Sequence, residues 1–282
     1  MKHSQKAWQL SLPTIQAMIN HPFNQKLKEG TLSPQIFGLF LKVDWEYLKV
    51  YRQVHTQIAS RAPKKHQQAF LRYADASMNI EIKPVHQFFK RRFNLNDTPQ
   101  LTPAFIGYTN HLRHSAIHEP VAVSIAAIVP CLWGYHEVGK QMAEALTEDH
   151  PFARWLETYS SPEFDAMVEE IISIFDEVSE SATDEVKQKM TVAFDTSFKW
   201  ELQFFEDAYR QIVVQTPNVY EQRFFKSQPK QTSTPIHSLL QRQDCDGKEC
   251  PIVDGYAGAT GGLSLPTNMN QCVGASGGRP FP

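Results

Sequence analysis

The sequence predicts an all-α bundle over residues 1–214, followed by a low-complexity, disordered C-terminal extension over 215–282. Three observations predict it. Apolar residues recur at helical spacing through the first part, and no stretch alternates with period 2 between turn signals. Helix starts are marked repeatedly in one way, by a hydroxyl residue before a proline: Ser33-Pro34, Thr102-Pro103 and Ser161-Pro162. Composition then breaks near Val214: all five tryptophans precede it, whereas eight of the thirteen glycines and seven prolines follow it.

In chain order the expected helices are 6–20, 34–61, 64–92, 103–117, 120–147, 151–159, 162–181 and 183–213. Several exceed the globular mean, which suits a bundle. The helix from Pro34 carries an apolar stripe of Phe37, Phe40, Leu41, Leu48 and Tyr51, with Asp44 and Tyr47 inside it. A carboxylate facing a core costs several kcal/mol, on the order of 2–7, unless it finds a partner or a ligand. Asp44 and Tyr47 are therefore candidates for substrate binding, and a hydrogen bond to a neighbouring helix is the ordinary alternative.

His86, between Val85 and Phe88-Phe89, is the one histidine flanked by strongly apolar residues, a candidate supporting group. Tyr108 and Tyr159 place phenols on apolar faces, where core packing is the plainer reading. His111, His114 and His118 share one helical face, which reads as a solvated stripe rather than a metal site.

The run from Val121 to Val129 reads as a helix packed on most sides, continuing through Pro130-Cys131-Leu132-Trp133-Gly134-Tyr135. Cys131 and Tyr135 are i and i+4 and point the same way. Cys131 read alone is a small buried hydrophobe. The last helix repeats the theme of the one from Pro34: Glu201 falls in a stripe of Met190, Phe194, Ser197, Phe204, Phe205 and Ala208. A carboxylate among aromatics holds its proton more strongly and can donate it near neutral pH. Glu206 and Asp207 are expected further round, facing solvent or the packing edge.

The net charge of −2 and pI near 6.6 give no electrostatic reason to expect nucleic acid or an anionic membrane as partner. No apolar run is expected to span a bilayer and no signal-peptide core follows Met1, so the expected location is the cytoplasm. Only Cys131 precedes residue 240, so no disulfide framework staples the bundle. Cys245, Cys250, Cys272 and His237 in the tail form a weak zinc pattern, against unpaired thiols as the simpler reading.

Five phrases, in order, resemble one family, TenA/thiaminase II. They are His21-Pro22-Phe23, Lys42-Val43-Asp44-Trp45-Glu46-Tyr47-Leu48, Pro130 to Tyr135, Trp155 to Ser160, and Trp200 to Tyr209. The resemblance covers residues 8–214. It implies the helical fold shared with haem oxygenase, a homotetramer, and hydrolysis of aminopyrimidines in thiamin salvage, with thiamin as a second, poorer substrate. Residue by residue, it implies Cys131 as nucleophile and Glu201 as catalytic acid. It further implies Asp44 as the anchor of the pyrimidine's polar edge, Tyr108, Tyr135 and Tyr159 around nucleophile and ring, and His86 as a pocket histidine. The chain falls in the cysteine branch and departs from the common pattern at Phe205, where Trp is frequent, and in its tail.

That chemistry needs a nucleophile, an acid beside a ring nitrogen and a hydrogen-bonded anchor, and no metal or cofactor. Two rival readings stand beside it. A metal-dependent oxygenase on the same fold would use Glu81, His86, His136 and Glu137, but the sequence has no histidine between His150 and His237 to complete the set. A non-catalytic pyrimidine- or thiamin-binding protein would have no chemical need for both Cys131 and Glu201.

Overall fold

The computed structural model describes residues 1–96, 100–147 and 149–214. The tail and its cysteines therefore lie outside the described residues. Ten α-helices appear among the described residues: α1 (His3–Ile19), α2 (Pro22–Lys28), α3 (Pro34–Arg61), α4 (Lys64–Ala76), α5 (Gln87–Arg92), α6 (Pro103–His118), α7 (Val121–Ala143), α8 (Ala153–Tyr159), α9 (Pro162–Glu180) and α10 (Asp184–Tyr209). A π-helical segment, Ser77–His86, joins α4 to α5. No strand occurs among the described residues.

The three hydroxyl–proline starts are helix caps. Ser33, Thr102 and Ser161 each accept the amide N–H three residues on, with proline in the first turn, where no N–H is needed. Several helix ends fall a few residues from expectation, and two differences are larger. Helix α2 was not expected; His21 caps it, its Nδ1 accepting the Phe23 N–H at 3.1 Å. The helix expected over 64–92 is interrupted by the π-segment, which contains Pro84. Proline has no N–H to continue a regular ladder, and the widened turn absorbs the mismatch.

Helix α7 is the central member. Its buried residues include an unbroken run from Ala122 to Leu132. It packs along α10, α9, α8 and α6, while α3 packs on α4, α6, α10 and the π-segment. Contrary to the sequence expectation, α7 is long and apolar enough to cross a membrane by length and composition. The bundle accounts for that character, because 83% of its apolar window is buried inside the protein. Gly139 permits the tight seat of α8: a Cβ there would lie 2.7 Å from the Tyr159 carbonyl oxygen.

The α3 and α10 stripes face the core as expected, with Asp44, Tyr47, Ser197 and Glu201 all buried. Asp207 does not lie at an edge. It is 1% exposed and accepts the Ala104 N–H at 2.7 Å, closing the first turn of α6. Its partner Gln203 donates to the other carboxylate oxygen at 2.8 Å. Glu206 is half-buried, paired with His21 at 2.9 Å and with Arg210.

Candidate active site

Five helices and the π-segment bring the expected residues into one buried cluster. Helix α6 contributes Tyr108, whose hydroxyl donates to Glu201 Oε1 on α10 at 2.8 Å. Both side chains are essentially sealed from solvent. Helix α3 contributes Tyr47, its ring 5.1 Å from Tyr108 and 5.7 Å edge-on to Phe204. Helix α7 contributes Cys131 and Tyr135, one turn apart, both buried. Tyr135 packs 5.1 Å from Tyr159, 5.9 Å from Trp155 and 5.7 Å from Phe205. The π-segment ends on His86, whose Nε2 lies 3.0 Å from Asp44 Oδ2.

The electrostatics tie these groups together. Burial pushes the Tyr108 phenol well above its usual value, reinforced by the charges of Glu201 and then Cys131. Tyr47 is raised by burial and then by Cys131, Tyr108 and Glu201. Tyr135 is raised by burial and then by Glu201, Asp44 and Cys131. All three phenols therefore hold their protons at neutral pH, and Tyr108 gives its own to Glu201. A single thiol acting electrostatically on all three places Cys131 among them.

Four polar atoms of this cluster are buried without a hydrogen-bond partner among the described residues: Asp44 Oδ2, the Tyr47 hydroxyl, His86 Nδ1 and Trp155 Nε1. His86 Nε2 approaches Asp44 Oδ2 to 3.0 Å, a contact that does not satisfy that oxygen's hydrogen bond. Orphaned buried polar atoms are rare in folded proteins, and each is open to a polar partner from outside the chain. Asp44 offers an acceptor and Tyr47 both a donor and an acceptor.

The histidine stripe on α6 is not uniformly solvated. His114 and His118 are exposed, but His111 turns inward, its Nε2 3.1 Å from Ser197 Oγ. His136, a ligand in the rival oxygenase reading, pairs with Asp165 on α9 at 2.6 Å rather than with His86 or Asp44. Among the described residues no group of three or more His, Cys, Asp or Glu is arranged to hold a metal ion. Sequence reasoning missed Asp207, whose signal was the Thr102-Pro103 start that needs a second amide partner. It also missed the cross-helix bonding of Ser197, a polar residue one turn before Glu201 in the same stripe.

The TENA/THI-4/PQQC family model matches residues 8–211. The chain belongs to that family. Among similar proteins, the aminopyrimidine aminohydrolase of Halalkalibacterium halodurans is 26% identical over 218 residues, covering 75% of this chain and 97% of its own. That of Bacillus subtilis is 29% identical over 216 residues, covering 74% and 91%. Of solved structures, a TenA homologue from P. horikoshii OT3 superposes with a TM-score of 0.68 at 22% identity, covering 74% of this chain and 99% of that one. A Shewanella denitrificans domain with a haem oxygenase-like fold superposes at 0.56 and 14% identity, covering 80% and 96%. The fold is thus the haem oxygenase-like one of TenA proteins, and family membership spans the whole bundle that builds the cluster.

Proposed function

We propose that this protein is an aminopyrimidine aminohydrolase of thiamin salvage. It converts 4-amino-5-aminomethyl-2-methylpyrimidine to the hydroxymethylpyrimidine with release of ammonia, and cleaves thiamin as a second, poorer substrate. The observation that carries the reading is the pairing of orphaned polar groups on Asp44 and Tyr47 with a buried thiol and a phenol–carboxylate pair. The aminohydrolase names of its relatives supply the substrate class.

The chemistry follows from these groups. Asp44 accepts from the pyrimidine amino group, and the stacked phenols and Phe204 hold the flat ring. The Cys131 thiolate adds to the ring carbon next to the aminomethyl-bearing carbon while Glu201 protonates a ring nitrogen. The resulting enamine pushes out the amine, which leaves with a proton as ammonia. Water adds to the exocyclic methylene and loses a proton; the thiolate departs and the ring nitrogen returns its proton to Glu201. Tyr108, hydrogen-bonded to Glu201, orients that carboxyl, and Tyr135 and Tyr159 line the side of the thiol. His86 supports Asp44.

The same reading carries a homotetramer in the cytoplasm, which sedimentation of the purified protein and fractionation of cells test. The activity is tested by an ammonia-release assay comparing the aminomethylpyrimidine, its formylated form and thiamin. Fastest turnover of the aminomethylpyrimidine supports the assignment. Absence of turnover on all three, with the protein folded, overturns it.

A further inference from the structure

Helices α6 and α10 meet through three polar rungs on one face. The Ala104 N–H meets Asp207 at 2.7 Å, the Tyr108 hydroxyl meets Glu201 at 2.8 Å, and His111 Nε2 meets Ser197 Oγ at 3.1 Å. Numbers rise along α6 as they fall along α10, so the helices are antiparallel and the proposed acid sits on the middle rung. Gly107 allows the approach, because a Cβ there would run into the Trp200 ring.

Ser197 also reaches a third helix. Its hydroxyl donates to the Ala127 carbonyl of α7 at 2.7 Å. Having given its proton to Ala127, the Ser197 oxygen accepts from His111, which is also drawn to the Ala193 backbone on α10. A buried helical serine ordinarily returns its proton to a carbonyl of its own preceding turn. Here the proton crosses to α7 instead, at a fully buried position.

The receiving carbonyl is a particular one. In the helical pattern, Ala127 C=O is the acceptor of the Cys131 amide. Pro130, inside α7, gives the Ala126 carbonyl no N–H. The next carbonyl, Ile128, accepts the Tyr51 hydroxyl of α3 at 2.7 Å. Two successive carbonyls of the turn that carries Cys131 are thus tied by side chains to two other helices.

We infer that Ser197, its hydroxyl oriented by His111, is a positioning residue that fixes the Cys131 turn of α7 against Glu201 on α10. The inference rests on the proposed roles of Cys131 and Glu201. Ser197 itself is placed away from the reacting atoms, and its effect passes through the backbone of α7.

The experiment compares Ser197→Ala, His111→Leu and their double variant with the wild type, each checked for helicity by circular dichroism. Two readouts are taken: kcat and KM for ammonia release, and the pH midpoint of Cys131 alkylation by iodoacetamide, followed on the Cys131 peptide by mass spectrometry. In Ser197→Ala, kcat falls about tenfold or more while KM stays within about twofold, since misalignment weakens the chemical step and not ring binding. The alkylation midpoint shifts by about half a unit or more, because a drifting turn changes the placement of the thiol among the buried phenols and Glu201. His111→Leu shows the same signature, and the double variant is no worse than Ser197→Ala, as expected for one chain of contacts. His111→Gln, which keeps an N–H donor, recovers most of the loss.

An unmoved midpoint with kcat within twofold in folded Ser197→Ala overturns the inference, as do fully additive losses in the double variant. If Ser197→Ala does not fold, His111→Leu carries the same test with the same overturning result. If the wild type releases no ammonia from any substrate, the proposed function fails, and the alkylation midpoint still decides the role of Ser197.

Discussion

Tyr108 donates its phenolic proton to Glu201 across the α6–α10 contact at 2.8 Å, in a setting where neither side chain reaches solvent. The bond has a directional consequence. The burial-raised phenol stays protonated and donates to one oxygen of the carboxyl, which fixes the direction in which Glu201 faces. A carboxyl held in this way is oriented before substrate arrives, and orientation of an acid contributes to catalysis without new contacts.

Glu201→Gln is expected to slow ammonia release by roughly 10²–10⁴-fold, since an amide keeps the shape but delivers no proton. Glu206→Gln, five residues on, is expected to stay within a few-fold. Glu206 points to His21 and Arg210 at the half-buried edge of the bundle. Steady-state kinetics of the two variants side by side check the contrast, and equal losses would reassign the acid.

Cys131→Ser is expected to leave the helical content and melting temperature close to wild type while reducing turnover to below about 1%. A hydroxyl is a far weaker nucleophile at neutral pH than a thiol. Retention of more than a few per cent of activity in a folded protein would remove Cys131 from the nucleophile role.

What the sequence made legible follows from how local each signal is. The hydroxyl–proline caps at Ser33, Thr102 and Ser161 are decided within three residues, and they start helices in the structure. Asp44 and Glu201 stood out because a single helix period places them among aromatics, and burial there requires no knowledge of a partner. Asp207 could not be read in the same way. Its neighbours on α10 do not show that it closes the first turn of α6, about a hundred residues upstream. The inward turn of His111 depended likewise on Ser197, and the π-segment before His86 on tertiary packing that widens a helix otherwise continuous in pattern.

Gly139→Ala is expected to destabilise the bundle by about 1–3 kcal/mol and to lower activity together with stability. The added methyl would meet the backbone of Tyr159, which cannot rotate away as a side chain could. Helix α8 would have to shift, moving Tyr159 off Tyr135, from which it now stands 5.1 Å. Chemical denaturation and kcat measured on the same preparation check both halves; a loss of stability with unchanged kcat would separate α8 from the site.

His55 gives the protein a defined loss of stability in acid. It is fully buried on α3 against Tyr51, Phe70 and Tyr73, with neither ring nitrogen hydrogen-bonded among the described residues. Burial lowers its pKa from 6.5 to about 3. The unfolded chain therefore takes up a proton at this residue below pH 6.5 while the folded protein does not until about pH 3. The stability associated with neutral His55 is complete above pH 6.5 and is lost progressively as pH falls toward 3. At 1.36 kcal/mol per unit, the loss at pH 5 is about 2 kcal/mol. His55→Phe removes the titrating group and the two unpaired nitrogens while keeping an aromatic ring against Tyr51. Urea denaturation at pH 7.5 and 5.0 is expected to show a pH-dependent loss in wild type that is smaller by about that amount in the variant. Equal losses in the two proteins would mean that His55 finds a proton-binding partner in the folded state.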